Sequence, residues 1–295
     1  MQFFSRRVLA GGACALLLSA LVLAQANERV LYVSVWDDKT HAPVTGLTPK
    51  GFRVTEDGNA REVLRVTPAT SPMPIALLVD NTQAARNHIA EIRKAIASFT
   101  KAVDGLGPVS IIGIADRPTI LRDYTTDQKL LQDGVGKVFA MPGAGATLLD
   151  AIVEVSKGLA KREEDRAAIV VLTTENVEFS NRYYIDVLEE LAKGGAQFHV
   201  VVLNTRLGTA LNDETRNRAQ VFDIGPQDSG GTRTDVLASQ AFDQKMRELA
   251  AILKSQQRLV YARPESLIPP EKIRVEATRD GLKASGGPAR GQKVR

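Results

Sequence analysis

The run Met73-Pro-Ile-Ala-Leu-Leu-Val-Asp80-Asn-Thr82 constrains the fold of this chain more than any other segment. Apolar residues from Ile75 to Val79 with no polar alternation suit a strand covered on both faces, as in a parallel sheet with helices on either side. Ligands of such sheets bind at the carboxyl ends of the strands, where Asp80 and Thr82 fall. A second run, Ala168-Ile-Val-Val-Leu172, ends in the polar cluster Thr173-Thr174-Glu175. Between them Gly143-Ala-Gly-Ala-Thr147 is a glycine-loosened loop that places a threonine at the start of a helix. These three segments can meet at one end of the sheet, around a hard cation or a carboxylate-bearing partner.

The N-terminus reads as an export leader. Arg6 and Arg7 precede an apolar run from Val8 to Leu23, and Ala24-Gln-Ala26 supplies a small-x-small cleavage site, so residues 1–26 are expected to be removed. Ser5-Arg-Arg-Val-Leu9 also resembles a twin-arginine signal, which leaves two export routes open. The run is short for a membrane span, and the mature chain is expected in the periplasm or outside the cell, with association to the envelope open. The single cysteine, Cys14, lies within the leader. The mature chain therefore has no disulfide, thiol nucleophile or zinc–thiolate site. The formal charge of +4 falls to about +2 without the two leader arginines, and acids are interleaved with the bases, which argues against nucleic acid as a partner.

Residues 27–68 read as a small β unit too poor in strands to hold a core alone. A stiff connector from Pro68 to Pro74 follows. Residues 73–256 alternate strands and helices: strand Ile75–Val79, helix Ala84–Val103, strand Val109–Ala115, an antiparallel edge strand near Thr119–Arg122, helix Asp127–Val138 capped by a preceding threonine, helix Leu148–Leu159, strand Ala168–Leu172, helix Arg182–Ala192 and strand Gln197–Leu203. Residues 204–235 are polar and read as a long surface excursion. A helix from Val236 to Lys254 returns to the fold. Residues 257–284 supply two β segments expected to complete the N-terminal unit, and 285–295 read as a loose tail. The fold class is α/β: a Rossmann-like domain with a mainly parallel sheet, plus a small β unit built from both ends of the chain.

Several stretches carry a family resemblance. Val44-Thr-Gly-Leu-Thr-Pro-Lys-Gly-Phe-Arg-Val-Thr-Glu-Asp-Gly58, Ser229-Gly-Gly-Thr-Arg233 and Leu259-Val-Tyr-Ala-Arg-Pro264 flank the α/β pattern. Together they resemble a von Willebrand factor A domain, and more narrowly the secreted VWFA-related proteins of acidobacteria. The resemblance implies a metal-ion-dependent adhesion site made from an Asp-x-Ser-x-Ser loop, a threonine loop and a downstream aspartate. Asp80 matches the first aspartate, Thr82 keeps the hydroxyl of the first serine, and Thr147 matches the threonine. Ala84 stands at the second serine with no ligand oxygen, and Thr174 stands where the aspartate belongs, so the site is degenerate. Asp80, Thr82 and Thr147 remain as ligands for Mg²⁺ or Mn²⁺ at low affinity, with Glu175 or Glu178 as substitute carboxylates. Asn81, Thr174, Glu175 and Glu178 are expected to form a partner-binding rim.

A bland alternative stands beside this one, in which Asp80 caps local backbone donors and Thr82 and Thr147 stabilise loops. His41, His88 and His199 fall on different elements and do not suggest a metal centre. The Gly143–Gly145 loop lacks a Walker lysine, and no Ser–His–acid set is evident. The expectation is an exported, non-enzymatic protein-interaction or adhesion module, weakly metal-dependent or metal-independent. The alternatives are a structural envelope protein and, more distantly, a hydrolase.

Overall fold

The computed structural model describes residues 27–204, 212–264 and 268–292, so the expected export leader lies outside the described residues. The chain opens with β1 (Asn27–Asp37), β2 (Phe52–Glu56), β3 (Asn59–Arg61) and β4 (Val63–Pro68). The α/β part runs β5 (Ile75–Val79), α1 (Ile89–Ala102), β6 (Val109–Gly113), β7 (Thr119–Thr125), α2 (Gln128–Gly136), α3 (Leu148–Ala160) and β8 (Ala168–Thr174). It continues with α4 (Tyr184–Gly194), β9 (Gln197–Leu203), α5 (Asp213–Ser229), β10 (Arg233–Val236) and α6 (Phe242–Lys254). β11 (Gln257–Arg263), β12 (Ile273–Ala277) and β13 (Leu282–Pro288) follow.

The central sheet has the order β10-β9-β8-β5-β6-β7, parallel except for β7 at one edge. Every residue of β5, β8 and β9 is buried, because alternate side chains enter two different cores. Leu77, Val79 and Leu172 pack with Ile92, Ile96 and Phe99 of α1 and Met246 and Leu253 of α6. Their neighbours Ala76, Leu78, Ile169 and Val171 pack with Ile152 of α3, Leu191 of α4 and Phe222 of α5. The result is three layers, with helices on both faces of a mainly parallel sheet.

Both ends of the chain build the small β unit. β1 pairs antiparallel with β11 and β13, and β11 pairs with β4. β2 pairs with β12 and β3. These two sheets enclose a third core of Leu31, Val33, Phe52, Val54, Leu259 and Tyr261. A buried polar chain joins this unit to the basal end of the central sheet. Arg166 donates to Gln256 Oε1 at 3.0 Å and to the Ser71 carbonyl at 2.8 Å; Gln256 donates to Gln197, and Gln197 to the Tyr32 carbonyl at 2.9 Å.

Four sequence expectations are corrected. The excursion at 204–235 contains α5, whose N-cap Asn212 accepts from Thr215 N–H at 2.9 Å, and β10, which lengthens the central sheet. The tail at 285–295 is held at least as far as Pro288, because β13 completes seven register pairs with β1. The residues from Ala84 to His88 form a 3-10 turn before α1 rather than its first α-helical turns. The cap of α2 is Asp127, accepting from Lys129 and Leu130 N–H, and not a threonine.

Candidate functional site

β5 ends by delivering Asp80 to the apical end of the sheet, beside the end of β8. Asp80 N–H donates to the Leu172 carbonyl at 2.9 Å, which fixes its carboxylate between the two strands. Oδ1 accepts from the N–H and hydroxyl of Thr82 at 2.9 and 2.7 Å. Oδ2 accepts from the hydroxyl of Thr173 at 3.1 Å, the N–H and hydroxyl of Thr174 at 2.9 and 2.7 Å, and Asn176 Nδ2 at 2.9 Å. Asp80 is fully buried, so these donors replace the water its charge has lost.

The network continues into α5. Arg218, itself buried, donates from Nη1 to Asn176 Oδ1, and the same nitrogen lies 4.0 Å from Glu178 Oε2. Burial pulls the Arg218 guanidinium below its ordinary pKa, against the attraction of Glu178, Asp80 and Glu175. Burial pushes the Glu178 carboxyl up, opposed by hydrogen bonding from Ser180 and the charge of Arg218. Glu178 Oε1 meets the N–H of Leu149 at 3.5 Å and of Ser180 at 3.2 Å, so it closes the first turn of α3 from across the site.

The structure brings Asp80, Thr82 and Thr174 into contact. Thr147 lies in the adjoining loop, its hydroxyl donating to the Ile114 carbonyl at 3.1 Å. Asn81 turns back under the sheet end, where Oδ1 accepts from Ala115 N–H at 2.9 Å. Its amide fills the space a Cβ on Gly113 would need, only 2.8 Å away, so Gly113 is required by close approach. Of the expected rim, Asn81, Thr174 and Glu178 are buried and only Glu175 is partly open to solvent. Backbone turns, not side-chain polarity, decide which way they face.

Asn176, Thr173 and Arg218 complete the site without having been assigned a role from sequence. Thr173 and Asn176 flank Thr174, the position where the resemblance places an aspartate. Arg218 was recoverable from the spacing Thr215, Arg218, Val221, Phe222, Gly225, which marks one helix face.

As arranged, the donor set does not fit a hard cation. Both oxygens of Asp80 face hydrogen donors, the Thr147 hydroxyl gives its proton to a carbonyl, and a buried guanidinium already lies in the network. Among the described residues no group of three or more His, Cys, Asp or Glu side chains is placed to hold a metal. His88 Nδ1 lies 3.0 Å from Ser239 Oγ, yet no carboxylate among the described residues is hydrogen-bonded to that ring to orient it as a catalytic base.

The apical loops around this network carry large exposed apolar side chains: Phe139, Met141, Phe179, Tyr183 and Leu237. Phe179 is 62% exposed while its ring edge crosses Gly145, where a Cβ would meet ring carbons at 2.1 Å. Met141 N–H donates to the Asn81 carbonyl at 2.9 Å, which places it directly beside the Asp80 loop.

No protein-family model matches this sequence, and neither does any curated protein. Among solved structures, proximal thread matrix protein 1 from the mussel byssus is similar with a TM-score of 0.50 at 6% identity, over 63% of this chain and 49% of that one. A von Willebrand factor type A protein from Catenulispora acidiphila is similar with a TM-score of 0.49 at 10% identity, over 90% and 73% of the two chains. The PilB minor pilin from Streptococcus sanguinis has a TM-score of 0.46 at 9% identity, over 64% and 63%. Identities this low speak to the fold alone. The strand order and layering are those of a Rossmann-like α/β domain with a mainly parallel sheet.

Proposed function

We propose that this chain is a non-catalytic protein-interaction module that engages its partner at the apical end of the central sheet without a metal ion. One observation carries the reading: the carboxylate at the head of the site is already satisfied by the chain itself, while apolar side chains stand exposed around it. Exposed aromatic and methionine side chains clustered on one face are the composition of an interface core. In a complete adhesion site the partner would finish the coordination of an ion; here contact falls to Met141, Phe179 and Tyr183. The narrower kinship with exported VWFA-related proteins, and a degenerate adhesion site descended from a metal-binding one, belong to this proposal. So does export, which the leader-like residues 1–26 support. Among the described residues no helix is long and apolar enough to cross a membrane.

The test replaces Phe179, Met141 or, as a control at the opposite end, Arg274 of β12 with a photo-crosslinking phenylalanine, in the source cells and with chelator present. Discrete adducts with one identified protein from the first two positions, and none from Arg274, are expected. Capture that needs added Mg²⁺, or that occurs equally from Arg274, refutes the reading. Recovery of the chain uncleaved in the cytosol refutes export.

A further inference from the structure

Two acceptor oxygens in the apical network converge on one guanidinium. Arg218 Nη1 donates to Asn176 Oδ1 and lies 4.0 Å from Glu178 Oε2, an oxygen that is buried with no hydrogen-bond partner. Asn176 passes the interaction on, donating from Nδ2 to Asp80 Oδ2 at 2.9 Å and to Thr82 Oγ1 at 3.3 Å. A buried cation is thus linked through a single amide to one buried carboxylate and faces a second. Without it, Glu178 Oε2 would be a buried carboxylate oxygen with neither a hydrogen-bond partner nor a nearby cation.

We propose that Arg218 takes the place of a divalent cation: its guanidinium supplies from within the chain the positive charge that Asp80 and Glu178 need. This rests on the metal-independent reading above. A guanidinium suits the task because it is permanently charged, more weakly hydrated than an ammonium, and planar enough to address several oxygens at once. The start of the helix that carries it is also bonded to Glu178. Asn212, the cap of α5, donates to the Glu178 carbonyl at 2.9 Å, and Thr215 Oγ1 accepts the Glu178 N–H at 3.1 Å. The first turn of the helix that carries the cation is therefore fastened to the residue that carries the second anion.

The same geometry states what removal of the arginine leaves behind. Asn176 Oδ1 and Glu178 Oε2 lose their cation, and the hydroxyls of Thr82 and Thr174 retain lone pairs beside Asp80. That is a set of hard oxygens, which Mg²⁺ and Mn²⁺ favour. Truncation of Arg218 is expected to turn a metal-indifferent site into a metal-responsive one.

The experiment uses the full mature chain and Arg218→Lys, Arg218→Gln and Arg218→Ala, melted in chelator and in millimolar Mn²⁺, with Mn²⁺ binding followed by electron paramagnetic resonance. The wild type is expected to melt at one temperature in both buffers. Arg218→Lys should stay closer to it than Arg218→Gln. Arg218→Ala should melt several degrees lower in chelator and recover part of the loss in Mn²⁺, and adding Glu178→Gln should abolish that recovery. Saturable Mn²⁺ binding by the wild type that disappears in Asp80→Asn overturns the proposal. So does equal loss in the Lys and Gln variants, or an Ala variant that folds and ignores Mn²⁺. Should the Ala variant not fold, the Lys and Gln comparison still decides whether charge is the property required. All readouts come from the isolated chain, so failure to find an apical partner leaves this result unaffected.

Discussion

Replacing Asp80 by alanine separates a structural carboxylate from a ligand carboxylate by the sign of its effect. The substitution strips an acceptor from the backbone N–H groups of Thr82 and Thr174 and from the side chains of Thr82, Thr173, Thr174 and Asn176. The hydroxyls can rotate toward other acceptors, as that of Thr173 already does toward the Thr174 carbonyl at 3.1 Å. The two N–H groups cannot move, and Thr82 and Thr174 are buried. Each buried donor left unpaired costs about 1–3 kcal/mol, so the pair costs about 2–6 kcal/mol, with about 4 kcal/mol as the central value. In a domain of this size that is a fall in melting temperature of roughly 8–16 °C. Urea unfolding of the mature chain and of Asp80→Ala in metal-free buffer measures the difference directly. Had Asp80 been held for an absent ion, its removal would leave the fold as stable or more so. A neutral or stabilising Asp80→Ala therefore refutes the structural assignment.

Two further predictions concern the frame. His199 of β9 is buried with Nε2 unpaired, and burial pushes its pKa down to about 4 from 6.5. The native state then resists a proton that the unfolded chain accepts, so stability is full above the unfolded pKa and falls as pH drops toward the folded one. Between pH 7 and pH 5 the loss is about 2 kcal/mol, and the difference between wild type and His199→Leu in urea unfolding should shrink by that amount; parallel pH profiles refute it. Arg290 donates to the carbonyls of Gly194 at 3.0 Å, of Glu164 at 3.0 Å and of Arg162 at 3.1 Å, and also to that of Leu159, beyond β13 and at the ends of α3 and α4. Arg290→Ala should cost about 3 kcal/mol and open the segment after Pro288 to limited proteolysis; unchanged digestion refutes the anchoring role.

The inner strands β5, β6, β8 and β9 were legible because each is a mainly apolar run, and Gln197–Leu203 has the same ends in sequence and structure, whereas polar β10 escaped. The convergence of Asp80 with Thr174 was legible for the same reason, since both stand at the ends of adjacent parallel strands. α5 escaped because its buried face begins with Thr215 and Arg218, polar residues whose burial depends on partners distant in sequence. β13 escaped because Gly, Ser and Pro are poor strand formers. Its glycines answer to contact instead: a Cβ on Gly286 would lie 2.6 Å from the Tyr32 carbonyl across the ladder. Glu178 was read as a rim residue from its chemistry, whereas it points inward to the first turn of α3. Sequence pattern registers apolar burial well and buried polar networks poorly, and this site is a buried polar network.

The division of labour between the two ends of the sheet follows from where those networks lie. The β unit is fastened to the basal end through Arg166, Gln197, Gln256 and Tyr32, at the opposite end of the sheet from Asp80. The apical network ties the end of β5 to the end of β8 and to α5, and isolated bridges from Ala146 to Ala115 and Glu178 bind in the threonine loop. Among the described residues, a partner therefore meets apical loops already tied to one another, which lowers the ordering entropy lost on contact. In a metal-completed site part of that ordering waits for the ion. On the proposal above, the chain's own hydrogen bonds supply it, with Arg218 as the cation, and recognition falls to the apolar residues around it.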